Sequence, residues 1–468
     1  MDTMDTDKTT QKERTAYIFL VAFVAAVGGF LFGYDLSIIS GAQRYLKDVF
    51  QLNPQQFGFA NASALLGCLA GPFVGAWMCD KVGRKRSLIF AALLFGISAV
   101  GTALPQTITQ FNIFRIIGGI GVGLASVASP LYIAEIAPKK IRGMLVTMNQ
   151  MAIVVGSLSA IIVAYLLAEY APSSVSWRWM FGSECVPIII FVAFLCTVPE
   201  TPRWLAEHHR FDQARTVLER LHGQSEAVNE MDEIKFEIDR EKHAPGISIR
   251  ELFAPGIKIA LLIGVVLSVM SQWTGWSVTG FYLPTILAQA GITDVAQSIK
   301  MAIIPNVANM FFTLIAIYYV DRVGRRPLYL ICTLAMAITM SMLASVFIFK
   351  IMGWPVIAIV SLTAAPHAIG LGALSWLVIS EIFPTRIRAK AMSLCTICLW
   401  LACFVITFSA PVLFDLSQRL FGVPSGVFFV CAIISLLSFF FVLKMLPETK
   451  GRSLEEIAKS WLNKSKTK

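Results

Sequence analysis

The chain has 468 residues, of which 56% are hydrophobic and only 15% charged, and its formal net charge is +10. A soluble fold of this length has nowhere to put so much apolar surface. The basic residues are dispersed over short loops and no single soluble face collects them, which argues against nucleic-acid binding.

A polar segment, 1–15, leads straight into a full-length apolar run. It lacks the short apolar stretch and cleavage site of a secretory signal, so the first span is expected to stay. Runs able to cross about 30 Å of hydrocarbon recur at roughly 16–39, 58–79, 87–105, 111–134, 144–168 and 180–198, then 258–289, 300–320, 327–349, 355–380, 391–414 and 424–446. The first six predict one bundle over 16–198 and the last six a second over 256–446. Between them, 199–255 is the one sizeable polar segment. Val217, Leu218 and Leu221 stand there at helical spacing, so short amphipathic helices forming a tether and lid are expected. His208, His209, His222 and His243 read as surface residues of this linker. A polar tail, 447–468, closes the chain. The nine cysteines lie in or beside apolar runs and read as small hydrophobes; no metal or cofactor is expected.

Three signatures occur twice in the same order. Asp80-Lys-Val-Gly-Arg-Lys-Arg86 returns as Asp321-Arg-Val-Gly-Arg-Arg326, Glu135-Ile-Ala-Pro as Glu381-Ile-Phe-Pro, and Pro199-Glu-Thr-Pro as Pro447-Glu-Thr-Lys. Their offsets (321−80=241, 381−135=246, 447−199=248) barely drift, so the chain is two copies of one module. Parallel repeats in a membrane protein predict a pseudo-two-fold axis along the membrane normal and a solute site between rocking halves. The cations Lys81, Arg84, Lys85, Arg86, Lys139, Lys140, Arg142, Arg322, Arg325, Arg326, Arg386, Arg388 and Lys390 fall in alternate loops. The positive-inside bias therefore predicts that both termini are cytoplasmic.

Charges within spans are costly, roughly 2.5–3.5 kcal/mol at a helix centre, and mark functional sites. Asp35, late in the first span, and Arg115 and Glu184, early in the fourth and sixth, fall at similar depth. Glycines spaced through Arg115-Ile-Ile-Gly-Gly-Ile-Gly-Val-Gly123 would let backbones approach and bring Arg115 to Asp35. Shifting Arg115 or the access of water would make Asp35 take and release a proton; a permanently ionised structural pair is the other reading. At the inner ends, Asp80, Arg84, Glu135, Arg142, Glu200, Asp321, Arg325, Glu381, Arg388 and Glu448 are expected to form a lock that closes when the carrier faces outward and separates when it faces inward. Loop anchoring is the plainer alternative.

Gly33-Tyr-Asp35, the Asp/Arg repeats, Asn149-Gln150, Pro199-Glu-Thr-Pro-Arg-Trp204, Ser380-Glu-Ile-Phe-Pro384 and Pro447-Glu-Thr-Lys-Gly451 resemble the sugar porter family of the major facilitator superfamily. The Arg115–Ser126 and Ser183–Pro187 stretches are similar to those of bacterial xylose/proton symporters. The resemblance implies an all-α membrane protein with about twelve transmembrane helices in two pseudo-symmetric six-helix bundles and a small cytoplasmic helical linker. It implies proton symport, because Asp35 is retained where uncoupled members tend to carry a neutral residue. Of the family's sugar-contacting positions, Phe32, Gln150, Gln272, Asn309, Trp376 and Trp400 match in type. Ser271, Trp276, Ser277 and Phe281 depart from the family's seventh span, and His367 stands where an aromatic residue is expected. Trp273, Trp276 and His367 would then build a more aromatic or weakly basic pocket, or serve in helix packing.

The reading is a monomeric, proton-coupled importer of a sugar or similar polar solute in a bacterial inner membrane, with solute, proton and lipid bilayer as its partners. A non-sugar carrier, an uncoupled facilitator and a transporter-like sensor are the alternatives. An enzyme is disfavoured, since no nucleophile–base pair or metal-ligand cluster is apparent.

Overall fold

The computed structural model describes residues 2–138, 141–243, 249–254, 257–383 and 387–448, without the side chains of 2–13, 225, 241–243, 249–250, 317, 320, 321, 373 and 389. Lys139, Lys140, Arg386, most of the terminal tail and the side chains of Asp321 and His243 therefore lie outside the described residues. Among the described residues all regular secondary structure is helical, with twelve segments long and apolar enough to cross a membrane.

The first half contains α1 (Asp2–Val49), α2 (Pro54–Val82), α3 (Arg84–Ala103), α4 (Ile108–Ile136), α5 (Arg142–Tyr170) and a sixth span split into α6 (Ser176–Gly182) and α7 (Cys185–Thr197). Helix α1 continues to Val49, well past the expected end of its apolar run. Ser40 and Gln43 interrupt the hydrophobic pattern, yet both are buried and the helix continues around them with Ala42 and Leu46. Pro187 explains the split in the sixth span. It has no N–H to give the Ser183 carbonyl, which instead accepts a shorter-range bond from Val186 at 3.2 Å.

The linker carries α8 (Pro202–Glu207), α9 (Phe211–His222), α10 (Gln224–His243) and a 3₁₀ turn (Ile249–Phe253). Ala214, Val217, Leu218 and Leu221 pack into the core of the first half, as their spacing requires. His222 departs from expectation. Its side chain is only 3% exposed, because it sits between Glu230 and the Ile136 carbonyl, whereas His208 lies exposed on the ring of Trp204.

The second half begins with a seventh span broken into α11 (Ile257–Trp273) and α12 (Trp276–Gln289). Gly275 turns between them at φ +118°, backbone that a side-chained residue rarely adopts. Then come α13 (Val295–Val323), α14 (Arg325–Ile348), and a tenth span made of α15 (Trp354–Pro366), a π-turn (His367–Leu371) and α16 (Gly372–Ile382), followed by α17 (Arg388–Phe421) and α18 (Gly426–Met445).

The duplicated signatures mark one face of the molecule, termed the motif face. Their backbones match: Gly83 turns at φ +102°, ψ 162° and Gly324 at φ +99°, ψ 156°. On the opposite face Asn53, Thr107 and Asp294 cap the N-termini of α2, α4 and α13 with their side chains, and Asn53 forms a full capping box with Gln56. Packing between the halves runs through α2 with α17, α5 with α13 and α1 with α12.

Candidate functional site

Asp35 on α1 and Arg115 on α4 meet in the first half, where Arg115 Nη1 donates to Asp35 Oδ1 at 2.7 Å. Both side chains are 1% exposed. The approach depends on the glycine run. A Cβ on Gly119 would strike the Ala64 carbonyl of α2, and one on Gly118 would come within 3.5 Å of Asp35 Oδ1. The ring of Phe181 lies 5.8 Å from the guanidinium carbon. Glu184, at the break between α6 and α7, is buried and interacts electrostatically with both Asp35 and Arg115. Asp35 Oδ2, Glu184 Oε1, and Arg115 Nε and Nη2 have no hydrogen-bond partner among the described residues.

The polar and aromatic positions of the second half gather around the breaks in the seventh and tenth spans. Gln272 is clamped at both ends: its Nε2 donates to Ser271 Oγ at 3.2 Å, and its Oε1 accepts from Ser277 Oγ at 3.0 Å. The two serines that depart from the family pattern thus hold the amide that keeps it. Trp276 stacks on His367 with ring centres 4.7 Å apart, and His367 lies in the π-turn, a distortion common at functional sites. Trp273 instead donates its indole N–H across to the Ala402 carbonyl at 2.9 Å, a packing contact. Across the halves, Phe32 meets Trp400 with centroids 5.9 Å apart. Phe281 packs against two hydrophobic clusters, each of which draws residues from both halves. Asn309 Oδ1, His367 Nδ1 and Trp400 Nε1 have no hydrogen-bond partner among the described residues. Buried polar atoms of that kind are costly unless something else engages them. Gln150 and Trp376 lie nearer the motif face and are exposed, Trp376 by 41%.

At the motif face, Arg84 Nη2 pairs with Glu135 Oε1 at 2.8 Å, and Arg325 Nη2 with Glu381 Oε1 at 3.0 Å. Glu200 and Glu448 have a role that charge pairing did not suggest. Glu200 accepts from the backbone N–H groups of Arg84 and Lys85, and Glu448 from those of Arg325 and Arg326, so each carboxylate caps the helix that begins there. Arg142 and Arg388 reach the backbone carbonyls of Ala137 and Phe383, each at 3.5 Å, and Asp80 is exposed with its carbonyl held by Trp204 Nε1. Each of these contacts joins residues of one half or its adjoining linker.

Several contacts between the halves lie at mid-depth and towards the opposite face. Phe57 meets Tyr282, Phe59 meets Phe404 and Phe408, Arg44 donates to the Thr293 carbonyl, and Ser157, itself bonded to Ser37 of its own half, donates across to Asn306. A family model described as "Sugar (and other) transporter" matches residues 21–461.

The chain belongs to that sugar transporter family.

Among similar proteins, the D-xylose-proton symporter of Escherichia coli (strain K12) is 38% identical, with 96% of each chain covered. The arabinose-proton symporter of Bacillus subtilis (strain 168) is 36% identical, with 97% of each covered. An inward open structure of the E. coli xylose transporter superposes with a TM-score of 0.83 at 36% identity, covering 95% of this chain and 100% of that one. The proton:xylose symporter bound to 6-bromo-6-deoxy-D-glucose gives 0.78 at 37% identity, covering 96% and 100%.

Sequence reasoning missed several residues of this sugar transporter's inter-half seam. Ser37, Ser157 and Asn306 form a polar chain from α1 through α5 to α13, linked at 2.6 Å and 3.5 Å. Serines in a span read as ordinary packing residues, and Asn306 lies one helical turn before the more conspicuous Asn309. Asn149, with Oδ1 unpartnered beside Gly29, was overshadowed by its neighbour Gln150.

Proposed function

We propose that this sugar transporter is a proton-coupled symporter that moves a pentose, hexose or similar polar solute inward by alternating access, with Asp35 as the proton carrier. One observation carries the reading. A single guanidinium faces two buried carboxyl groups, so the cluster is electroneutral only when it holds one proton. That two similar proteins are named proton symporters supports the coupling itself. Arg115 stabilises the ionised acid, Glu184 sets the charge balance, and the 16–198 and 256–446 halves rock about the interface between them.

The solute would lie between Phe32 and Trp400 on one side and the Gln272, Trp276, Phe281, Asn309 and His367 group on the other. Aromatic faces would hold the ring of the solute, and unpartnered polar atoms would read its hydroxyls. Gln150 and Trp376 would line the exit towards the motif face. That face is the cytoplasmic one, by the basic loops, in a bacterial inner membrane, with both termini inside and the protein acting as a monomer in lipid. The Arg84–Glu135–Glu200 and Arg325–Glu381–Glu448 sets, with Asp80, Arg142, Asp321 and Arg388, would hold the inner ends of each half rigid and bias the two-state equilibrium.

Uptake into proteoliposomes under an imposed inward proton gradient, across a panel of pentoses, hexoses and polyols, tests the reading. Accumulation of at least one sugar, abolished by a protonophore, is expected; sugar flux indifferent to the protonophore would remove the coupling. A narrower prediction concerns Ser277→Ala, which frees Gln272 Oε1. A hydrogen bond of about 0.5–1.5 kcal/mol predicts a change in sugar affinity of roughly 2- to 12-fold. An unaltered titration by intrinsic tryptophan fluorescence would show that Gln272 does not read the solute.

A further inference from the structure

We propose that His222 is a proton-dependent latch that ties the linker helices to the end of the fourth span. The ring lies at the last position of α9, and its two nitrogens face two acceptors. Nδ1 meets Glu230 Oε2 on α10, and Nε2 meets the Ile136 carbonyl at 3.2 Å, at the C-terminus of α4. A neutral imidazole has one donor and one acceptor nitrogen and can satisfy only one of these partners; the imidazolium satisfies both. A cation at a helix C-terminus also complements the helix dipole.

The surroundings reinforce this choice. From α10, Glu230 and Glu226 both bring negative charge to the ring. From α4, the Ile136 carbonyl points at it, while the neighbouring Glu135 is committed to Arg84 and Thr201. From α1, Arg14 supplies opposing charge, its guanidinium lying against Gly223. Burial by itself would lower the proton affinity of His222, but the bond and charge of Glu230, the Ile136 carbonyl and Glu226 outweigh it and raise the pKa above the ordinary 6.5. A raised folded-state value means that the stabilisation is complete below about pH 6.5 and is lost as pH rises through the raised value.

Position gives the latch its consequence. Ile136 adjoins Glu135, whose carboxylate holds Arg84 and Thr201 together, so the same helix end anchors both the motif-face ion pair and the linker. Protonated His222 fastens α9 and α10 to this anchor. Alkaline conditions on the linker's side release them. The device is separate from the Asp35 cluster and stands whether or not transport is proton-coupled.

Hydrogen exchange of the reconstituted full-length protein tests the latch, with wild type, His222→Gln and His222→Arg compared at matched pH so that intrinsic exchange rates cancel. At pH 6, amides of 211–243 should exchange about tenfold or more slowly in the wild type than in His222→Gln, and by pH 9 the two should converge. His222→Arg, charged throughout, should keep part of the protection at both values. Equal exchange in wild type and His222→Gln at pH 6 overturns the proposal. So does a difference between them that is the same at pH 6 and pH 9, because packing without titration would produce it.

Discussion

Asp35→Asn is expected to lose sugar accumulation against a gradient while retaining exchange of sugar across the membrane. With one proton per solute, each pH unit of gradient contributes ~1.4 kcal/mol, enough for about tenfold accumulation. The amide keeps the shape of the carboxyl and an oxygen for Arg115 Nη1, but the cluster becomes one cation and one acid, neutral without an added proton. Removing half of a buried ion pair ordinarily costs about 3–5 kcal/mol, because the surviving charge is stranded. Here Glu184 remains beside Arg115, so the fold should survive. In proteoliposomes the mutant should equilibrate labelled sugar in counterflow yet reach an inside-to-outside ratio near one under any pH gradient. A mutant that still accumulates sugar would show that another group carries the proton.

Gly58→Trp is expected to stop net uptake and exchange alike while leaving sugar binding within a few-fold of wild type. Gly58 is near the start of α2, and a Cβ there would lie against the carbonyl of Phe408 on α17, across the boundary between halves. A side chain at such a contact is tolerated only if the backbones part. Because the halves are built to separate, an overpacking cost of about 3 kcal/mol falls on the closed arrangement alone. That shifts the equilibrium between the two arrangements by about two orders of magnitude. Thiol-labelling of cysteines introduced on the two faces should show the opposite face opened and the motif face occluded. Exchange at wild-type rates would mean that this seam never has to close.

Much of the architecture was legible because membrane spans and internal repeats are carried by composition and period, which need no tertiary information. The duplicated Gly83 and Gly324 turns have nearly identical backbone angles. The proximity of Asp35 and Arg115 was legible for a related reason. Charges within spans are rare, and the glycine run indicated which helices could approach closely. Features that depend on which neighbour a side chain faces were not. Ser271 and Ser277 read as substrate-facing positions that depart from the family's pattern, and nothing in the sequence indicated that they hold Gln272. Glu200 and Glu448 read as lock charges, yet they bond backbone N–H groups. His222, in a segment of high polarity, gave no sign of burial, since its partners come from the next helix and from a carbonyl 86 positions away.

The seam between the halves and the motif-face end of each half are fastened by different forces, and temperature should distinguish them. Rings do most of the fastening at the seam: Phe57 on Tyr282 and Phe59 on Phe404 and Phe408. Parting those rings into a water-filled vestibule hydrates apolar surface and so carries a positive heat-capacity change. Chilling weakens such associations, whereas the guanidinium–carboxylate pairs of the motif face, which lie inside each half and do not part when the halves do, respond chiefly to ionic strength. Arrhenius plots of turnover should therefore bend in the cold, and added salt should leave the bend where it is.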